Sequence, residues 1–284
     1  MIDQRRFPGS LVVLVISAIG ALAFLYPFLL PLIGQEERLM GRGMEVPILF
    51  GLLAFACLIV ILLDVQSRTT GAGPGAARIV ALLAVLVAFD AALRLIPSML
   101  GASPIFLLII LVGFAYGPDF GFLMGALTLL VSAFITGGLG PWLAFQMLTA
   151  GWVGMTAGWL PRLGGWREVA MLCGFGAVWG FLFGAIMNLW SWPYAAPGLQ
   201  QPTGLYWVPG MSALETLRTY GQFYLVTSLG YDLFRAVGNV VLILVLARPV
   251  LRLLDRYRDR FTWYPWTEMD PEPAPASEVG RSTA

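Results

Sequence analysis

Long stretches of this chain carry almost no charge, and their length decides what it can fold into. Eight segments are predominantly apolar: 10–33, 46–65, 78–98, 104–117, 119–136, 142–160, 169–190 and 222–247. A helix needs about 20 apolar residues to cross the hydrocarbon layer of a bilayer. The expectation is an all-α, polytopic membrane protein with eight spans. The fourth segment, bounded by Pro104 and Gly117-Pro118, is short and is expected to tilt or to cross only partway. Of the 284 residues, 58% are hydrophobic and 12% charged. A soluble domain carries about 25% charge, so this chain has too few polar residues to make a soluble surface.

Breakers separate the segments: Gly71-Ala-Gly-Pro-Gly75, Gly137-Gly-Leu-Gly-Pro141 and Gly164-Gly165. Arginine placement fixes the expected orientation. With the N-terminus in the cytoplasm, Arg5, Arg6, Arg68, Arg78, Arg162, Arg167, Arg248, Arg252, Arg256, Arg258, Arg260 and Arg281 lie inside, and only Arg38, Arg42 and Arg218 lie outside. That asymmetry follows the positive-inside rule and puts both termini in the cytoplasm. Arg5 and Arg6 precede the first apolar run as they would in a signal peptide. The run from Ser10 to Ile33 is nevertheless span-length and lacks a convincing small-residue cleavage site, so it reads as a retained helix. The expected organisation is a transmembrane hairpin (1–66), a Gly-rich cytoplasmic linker (67–77), a six-helix unit (78–250), and a basic cytoplasmic helix with a disordered tail (251–284).

Composition also excludes chemistry. All 17 basic residues are arginine, which removes lysine Schiff bases and the lysine of a P-loop. Histidine is absent, and with it the usual general base and the commonest metal ligand. Cys57 and Cys173 both sit in apolar runs and suggest neither a disulfide framework nor a zinc site. A net charge of +1 points to no nucleic-acid partner.

Small residues recur every three or four positions. Ala77, Ala81, Ala84, Ala88 and Ala92 run along the third segment, Gly121 and Gly125 open the fifth, and Gly176, Gly180 and Gly184 follow the seventh. Such stripes let helix backbones approach closely. The glycines fit packing within the chain, and the alanine stripe fits a partner subunit. Polar residues within spans are costly and suggest function. Asp90/Arg94 and Asp232/Arg235 are spaced to share a helix face. Each is either a self-neutralising pair that tolerates burial or part of an outward cavity for a polar ligand. On this reading Arg94 lies near the outer end and Asp232 near mid-depth. Trp142, Gln146, Asn188, Trp190, Trp192 and Tyr206 all map to the outer side. Single tryptophans there serve as interfacial anchors, but the cluster suits an apolar organic ligand with hydrogen-bonding edges.

Several segments carry a family resemblance: Arg94-Leu-Ile-Pro-Ser98, Gly101-Ala-Ser-Pro104, Gly113-Phe-Ala-Tyr-Gly-Pro118, Gly121-Phe-Leu-Met-Gly125 and Gly137-Gly-Leu-Gly-Pro-Trp-Leu-Ala-Phe-Gln-Met147. In these, residues 78–250 resemble the substrate-binding S-component of energy-coupling factor (ECF) transporters, and the Gly140-Pro-Trp142 segment looks most like the cobalamin-type branch. The resemblance implies a component of a prokaryotic plasma-membrane importer that is not itself an enzyme. It would capture a vitamin, cobalamin or a related compound, from outside, with no resident cofactor, metal or catalytic residue. Implied partners are a transmembrane T-component, docked through Ala77, Ala81, Ala84 and Ala88, and two cytoplasmic ATPases. Implied substrate contacts are Arg94, Trp142, Gln146, Asn188, Trp190, Trp192, Tyr206, Tyr231, Asp232 and Arg235. The hairpin 1–66 departs from the six-helix pattern. Two alternatives remain: a membrane enzyme on a lipid-linked substrate, using Asp90 or Asp232 as acid/base, and a structural assembly subunit whose polar pairs only hold helices together.

Overall fold

The computed structural model describes residues 11–29, 74–96, 101–194 and 204–261. The second expected span (46–65), most of the linker and the tail lie outside the described residues. What is described is helical: α1 (Leu11–Leu29), α2 (Pro74–Leu93), α3 (Ile105–Tyr116), α4 (Pro118–Thr136), α5 (Leu143–Ala157), α6 (Gly165–Ser191), a 3-10 turn (Trp192–Tyr194), α7 (Ala213–Thr227) and α8 (Leu229–Phe261). The protein is an all-helical, polytopic membrane protein. Among the described helices, α4, α6 and the stretch Leu229–Arg258 of α8 are long and apolar enough to cross a bilayer.

The short fourth segment turns out to be the centre of the bundle. With 12 residues, α3 extends about 18 Å, well short of a hydrocarbon layer of about 30 Å. Every residue from Ile105 to Ala115 is buried. A helix that is apolar on all sides belongs in a core rather than at a surface, and here the other helices surround it. The chain leaves α3 through Gly117, whose φ of 100° is open to glycine, and Pro118 then starts α4 at a position where its missing N–H costs nothing.

Glycines set the helix spacing. A β-carbon on Gly113 or Gly121 would strike the Gly154 backbone, and one on Gly125 would strike Ala150, so α3, α4 and α5 meet almost backbone to backbone. On α6, Gly176 faces Ile243 and Asn239, Gly180 faces Ala236, and Gly184 faces the Asp232 carboxylate. The glycine stripe of the seventh segment is therefore the seam between α6 and α8. Asn239 completes it by donating its amide to the Gly176 carbonyl at 2.9 Å.

The alanine stripe does the reverse. Leu83, Val87, Asp90 and Ala91 turn inward from α2, while Ala81, Ala84, Ala88 and Ala92 lie on its exposed face beside Val85 and Phe89. The side chain of Ala77 lies outside the described residues.

Helix α1 packs on the bundle. Val13 and Ile16 join the main core, Gly20 presses against Leu148 of α5, and Phe24 meets Phe145 edge-on at 4.8 Å.

The last apolar segment is not one continuous helix. Residues 222–247 were expected to form a single crossing. Instead the helix breaks at Ser228, and α7 starts earlier, at Ala213, behind a capping box. The Ser212 hydroxyl accepts from the Glu215 backbone N–H, and the Glu215 carboxylate accepts from the Ser212 N–H at 2.9 Å. Asp232 accordingly sits in the first turn of α8 rather than at mid-depth, where the positive end of the helix dipole favours a carboxylate. At its far end α8 stays helical past residue 250, through Pro249, with Leu251 and Leu254 buried.

Candidate functional site

The two ends of α6 differ in chemistry. At its start, cations tie the bundle together. Arg162 donates to the carbonyls of Phe114 and Ala115 at 3.2 and 3.3 Å, and Arg258 also reaches Ala115 at 3.3 Å. These are the terminal carbonyls of α3, which lack helical partners and carry negative partial charge. Asp255 sits between the two arginines, at 3.5 Å from Arg162 and 3.3 Å from Arg258, and Arg248 lies 3.9 Å above the Trp166 ring.

The opposite end of α6 is aromatic. Gly140-Pro-Trp142 forms the approach to α5, where the Trp142 indole folds back over Gly140 so closely that any side chain there would overlap it. Trp142 meets Trp190 edge-on at 6.5 Å, and Trp190 lies 5.7 Å from Phe145. Gln146 is half-buried one turn further along α5. Trp192 is 1% exposed and locked in place, its indole N–H donating to the Leu205 carbonyl at 2.9 Å. Its ring touches Tyr220 at 5.1 Å, Phe223 at 6.1 Å and Phe28 of α1 at 6.0 Å. Tyr206 packs 6.4 Å from Phe223.

A cavity of about 530 Å³ opens among these rings, walled by α1, the end of α6, the loop before α7, and α7 itself. That is within the range of ligand pockets, about 300–1,000 Å³. Of the ten residues expected to touch substrate, Trp192 lines this cavity. Leu25, Phe28, Trp207, Thr216 and Tyr220 line it too and were not singled out from sequence. The unread signal was Ser212-x-x-Glu215, a helix start that places Thr216 and Tyr220 one turn apart on one helix.

The polar residues form separate groups. Asp232 is 1% exposed and ion-paired to Arg235. Tyr224 donates to Asp232 at 2.8 Å, and Arg235 also donates to the Gly180 carbonyl at 3.1 Å and lies 5.3 Å above Phe183. Asn188 donates to Ser228 at 2.7 Å, and Tyr220 donates to the Ala185 carbonyl. Gly101, with φ 95°, brings the loop after α2 against the Tyr231 carbonyl, whereas the Tyr231 side chain is 56% exposed.

Asp90 and Arg94 were expected either to neutralise each other or to face a ligand. They bond to α4 instead: Asp90 accepts from Thr128 at 3.1 Å, and Arg94 donates to Ser132 at 2.9 Å. Asp90 is fully buried, and among the described residues its second carboxylate oxygen has no hydrogen-bond partner. The spacing that puts both residues on one face of α2 is matched by Thr128 and Ser132, one turn apart on α4, so each finds a hydroxyl nearer than the other's charge. Among the described residues, no three His, Cys, Asp or Glu side chains converge as a metal centre requires.

A helical membrane bundle with an aromatic, ligand-sized cavity at one end and a cation-tied opposite end has the form of a substrate-binding membrane subunit. A family model for the ECF transporter substrate-specific component matches residues 78–247, and the chain belongs to that family. It is therefore a component of a transporter, from a family of transporter subunits rather than enzymes. Comparison with curated proteins and with solved structures gives no match.

Proposed function

We propose that this protein captures a vitamin at the aromatic end of its bundle and delivers it to an ATP-driven ECF importer. The aromatic end faces the outside of a prokaryotic plasma membrane, and both termini face the cytoplasm. The cavity beside Trp192 carries this reading, because it offers ring faces to an organic ligand at the end away from the arginines. The likeness of Gly140-Pro-Trp142 favours cobalamin or a related compound, whereas a cavity of about 530 Å³ favours a smaller vitamin. Release is driven by a T-component and two ATPases encoded as separate chains. The T-component docks on the exposed face of α2, where Ala81, Ala84 and Ala88 allow close helix approach.

Neither Asp90 nor Asp232 lines the cavity, and both are held by bonds within the bundle. That favours a structural role for the two carboxylates over acid/base catalysis.

The test is a vitamin-binding panel on the full chain in lipid nanodiscs, with Trp192→Phe and Thr216→Val, both in the cavity wall, beside the wild type. Binding of one vitamin, weakened in both variants, supports capture at this end. Absence of binding across the panel would overturn it. Replacing Ala84 and Ala88 with Phe should abolish co-purification of the T-component while leaving vitamin binding intact.

A further inference from the structure

The family match begins at residue 78, yet the cavity has a wall that lies before it. Leu25 and Phe28 of α1 line the space together with Trp192, Trp207, Thr216 and Tyr220. Phe28 is not an incidental neighbour: it lies 6.0 Å from Trp192 and meets Trp207 edge-on at 5.4 Å. One turn back, Phe24 is 3% exposed and wedged against Phe145 and Trp152 at 4.8 and 5.8 Å. Gly20, a turn further, allows α1 to close onto Leu148. This helix is thus anchored along its length, and the anchoring presents Leu25 and Phe28 to the cavity.

The lining also specifies chemistry. Among the described residues it contains no charged side chain. The Tyr220 hydroxyl is already committed to the Ala185 carbonyl, and the Trp192 indole N–H to the Leu205 carbonyl. The Thr216 hydroxyl remains as a polar handle on the wall. A charged ligand would be desolvated here without compensation, whereas flat rings gain from stacking and edge contacts with Trp and Phe. A space of about 530 Å³ suits a compact molecule better than a corrinoid with its macrocycle and appended nucleotide.

We infer that α1 is an integral wall of the substrate site, and that the site selects a compact, uncharged, planar ligand. This rests on the reading of the protein as a vitamin-capturing subunit, narrows its substrate class, and assigns a role to the first helix of the extra N-terminal segment.

Calorimetric binding to the full chain in nanodiscs tests it. The probes are riboflavin and pyridoxine (neutral and planar), biotin and pantothenate (anionic), thiamine (cationic) and cyanocobalamin. The variants are Leu25→Trp, which fills the cavity, Phe28→Leu, which removes the ring, and Leu14→Trp on the exposed face of α1 as control. The expected result is that a neutral planar probe binds best, Leu25→Trp and Phe28→Leu each weaken it about tenfold, and Leu14→Trp leaves it within about twofold. Phe28→Leu is the smaller change and keeps the test decisive if the bulkier variant does not fold. If a charged probe or cyanocobalamin binds best, or if affinity survives both cavity variants, the inference fails while vitamin capture stands. If none of the probes binds, both fail.

Discussion

Tyr224 donates its phenolic hydrogen to Asp232 at 2.8 Å, across the break at Ser228 that separates α7 from α8. The bond ties a helix beside the aromatic cavity to the ion pair of a membrane-crossing helix. Asp232 thereby receives hydrogens from Tyr224 and Arg235 and needs no ligand to offset its burial. Tyr224→Phe should lower stability by about 1.5–3 kcal/mol, the range for a hydrogen bond to a charged group. Asp232→Ala should cost more, about 3–5 kcal/mol, because it leaves Arg235 largely buried without its anion. Denaturant unfolding in detergent micelles gives both values; a smaller loss in Asp232→Ala than in Tyr224→Phe would refute the assignment.

The α6–α8 seam makes a positional prediction. Gly180→Ala would drive a β-carbon into the Ala236 backbone, so the helices must part and the folded yield should fall. Gly174→Ala, on the same helix, meets nothing within 4 Å and should stabilise by about 0.5–1 kcal/mol through helix propensity. Opposite signs at two glycines six residues apart would show that contact decides the outcome.

The two bonds between α2 and α4 should be energetically distinct. A double-mutant cycle on Asp90→Asn and Thr128→Val is expected to give a coupling of about 0.5–3 kcal/mol. The same cycle across Arg94 and Thr128 should give a value near zero. A larger coupling between Asp90 and Arg94 than between Asp90 and Thr128 would restore the ion pair read from sequence.

Glu215 provides a pH signature at the start of α7. The Ser212 backbone N–H, and then its hydroxyl, hold the Glu215 carboxyl below its ordinary value of 4.5. A lowered value means that the contribution is present above the ordinary value and is lost as pH falls through the lowered one. Hydrogen-exchange protection at the first α7 amides, corrected for intrinsic rates, should hold from neutral pH to 4.5 and decline below it. Glu215→Gln keeps a capping partner without a titrating group, so its profile should be flat. An equal acid decline in that variant would assign the effect elsewhere.

Much of the frame was legible in the chain. Apolar length gave the membrane, Gly117-Pro118 gave the α3–α4 break, and the motifs from Arg94 to Met147 gave the family. The break at Ser228 was not legible to a hydropathy reading, because the end of α7, residues 223–227, is apolar enough to merge with the segment after it. Its capping box was visible, but a local cap does not say how far the helix will run.

Sequence alone determined that this chain enters a membrane as helices, because too few polar residues exist to cover any other fold. It also determined which helices carry small residues at close-packing intervals. Only the tertiary structure decided what each stripe meets: the glycines of α6 pack on α8, while the alanines of α2 stay exposed. Periodicity fixes which residues share a face but not where that face points. The same holds for Asp90 and Arg94, whose partners lie 38 residues away on α4, and for Phe28, which meets Trp192 from a helix outside the family segment. Contacts at such separations depend on how helices are arranged around α3, and that arrangement is a property of the whole bundle rather than of any segment.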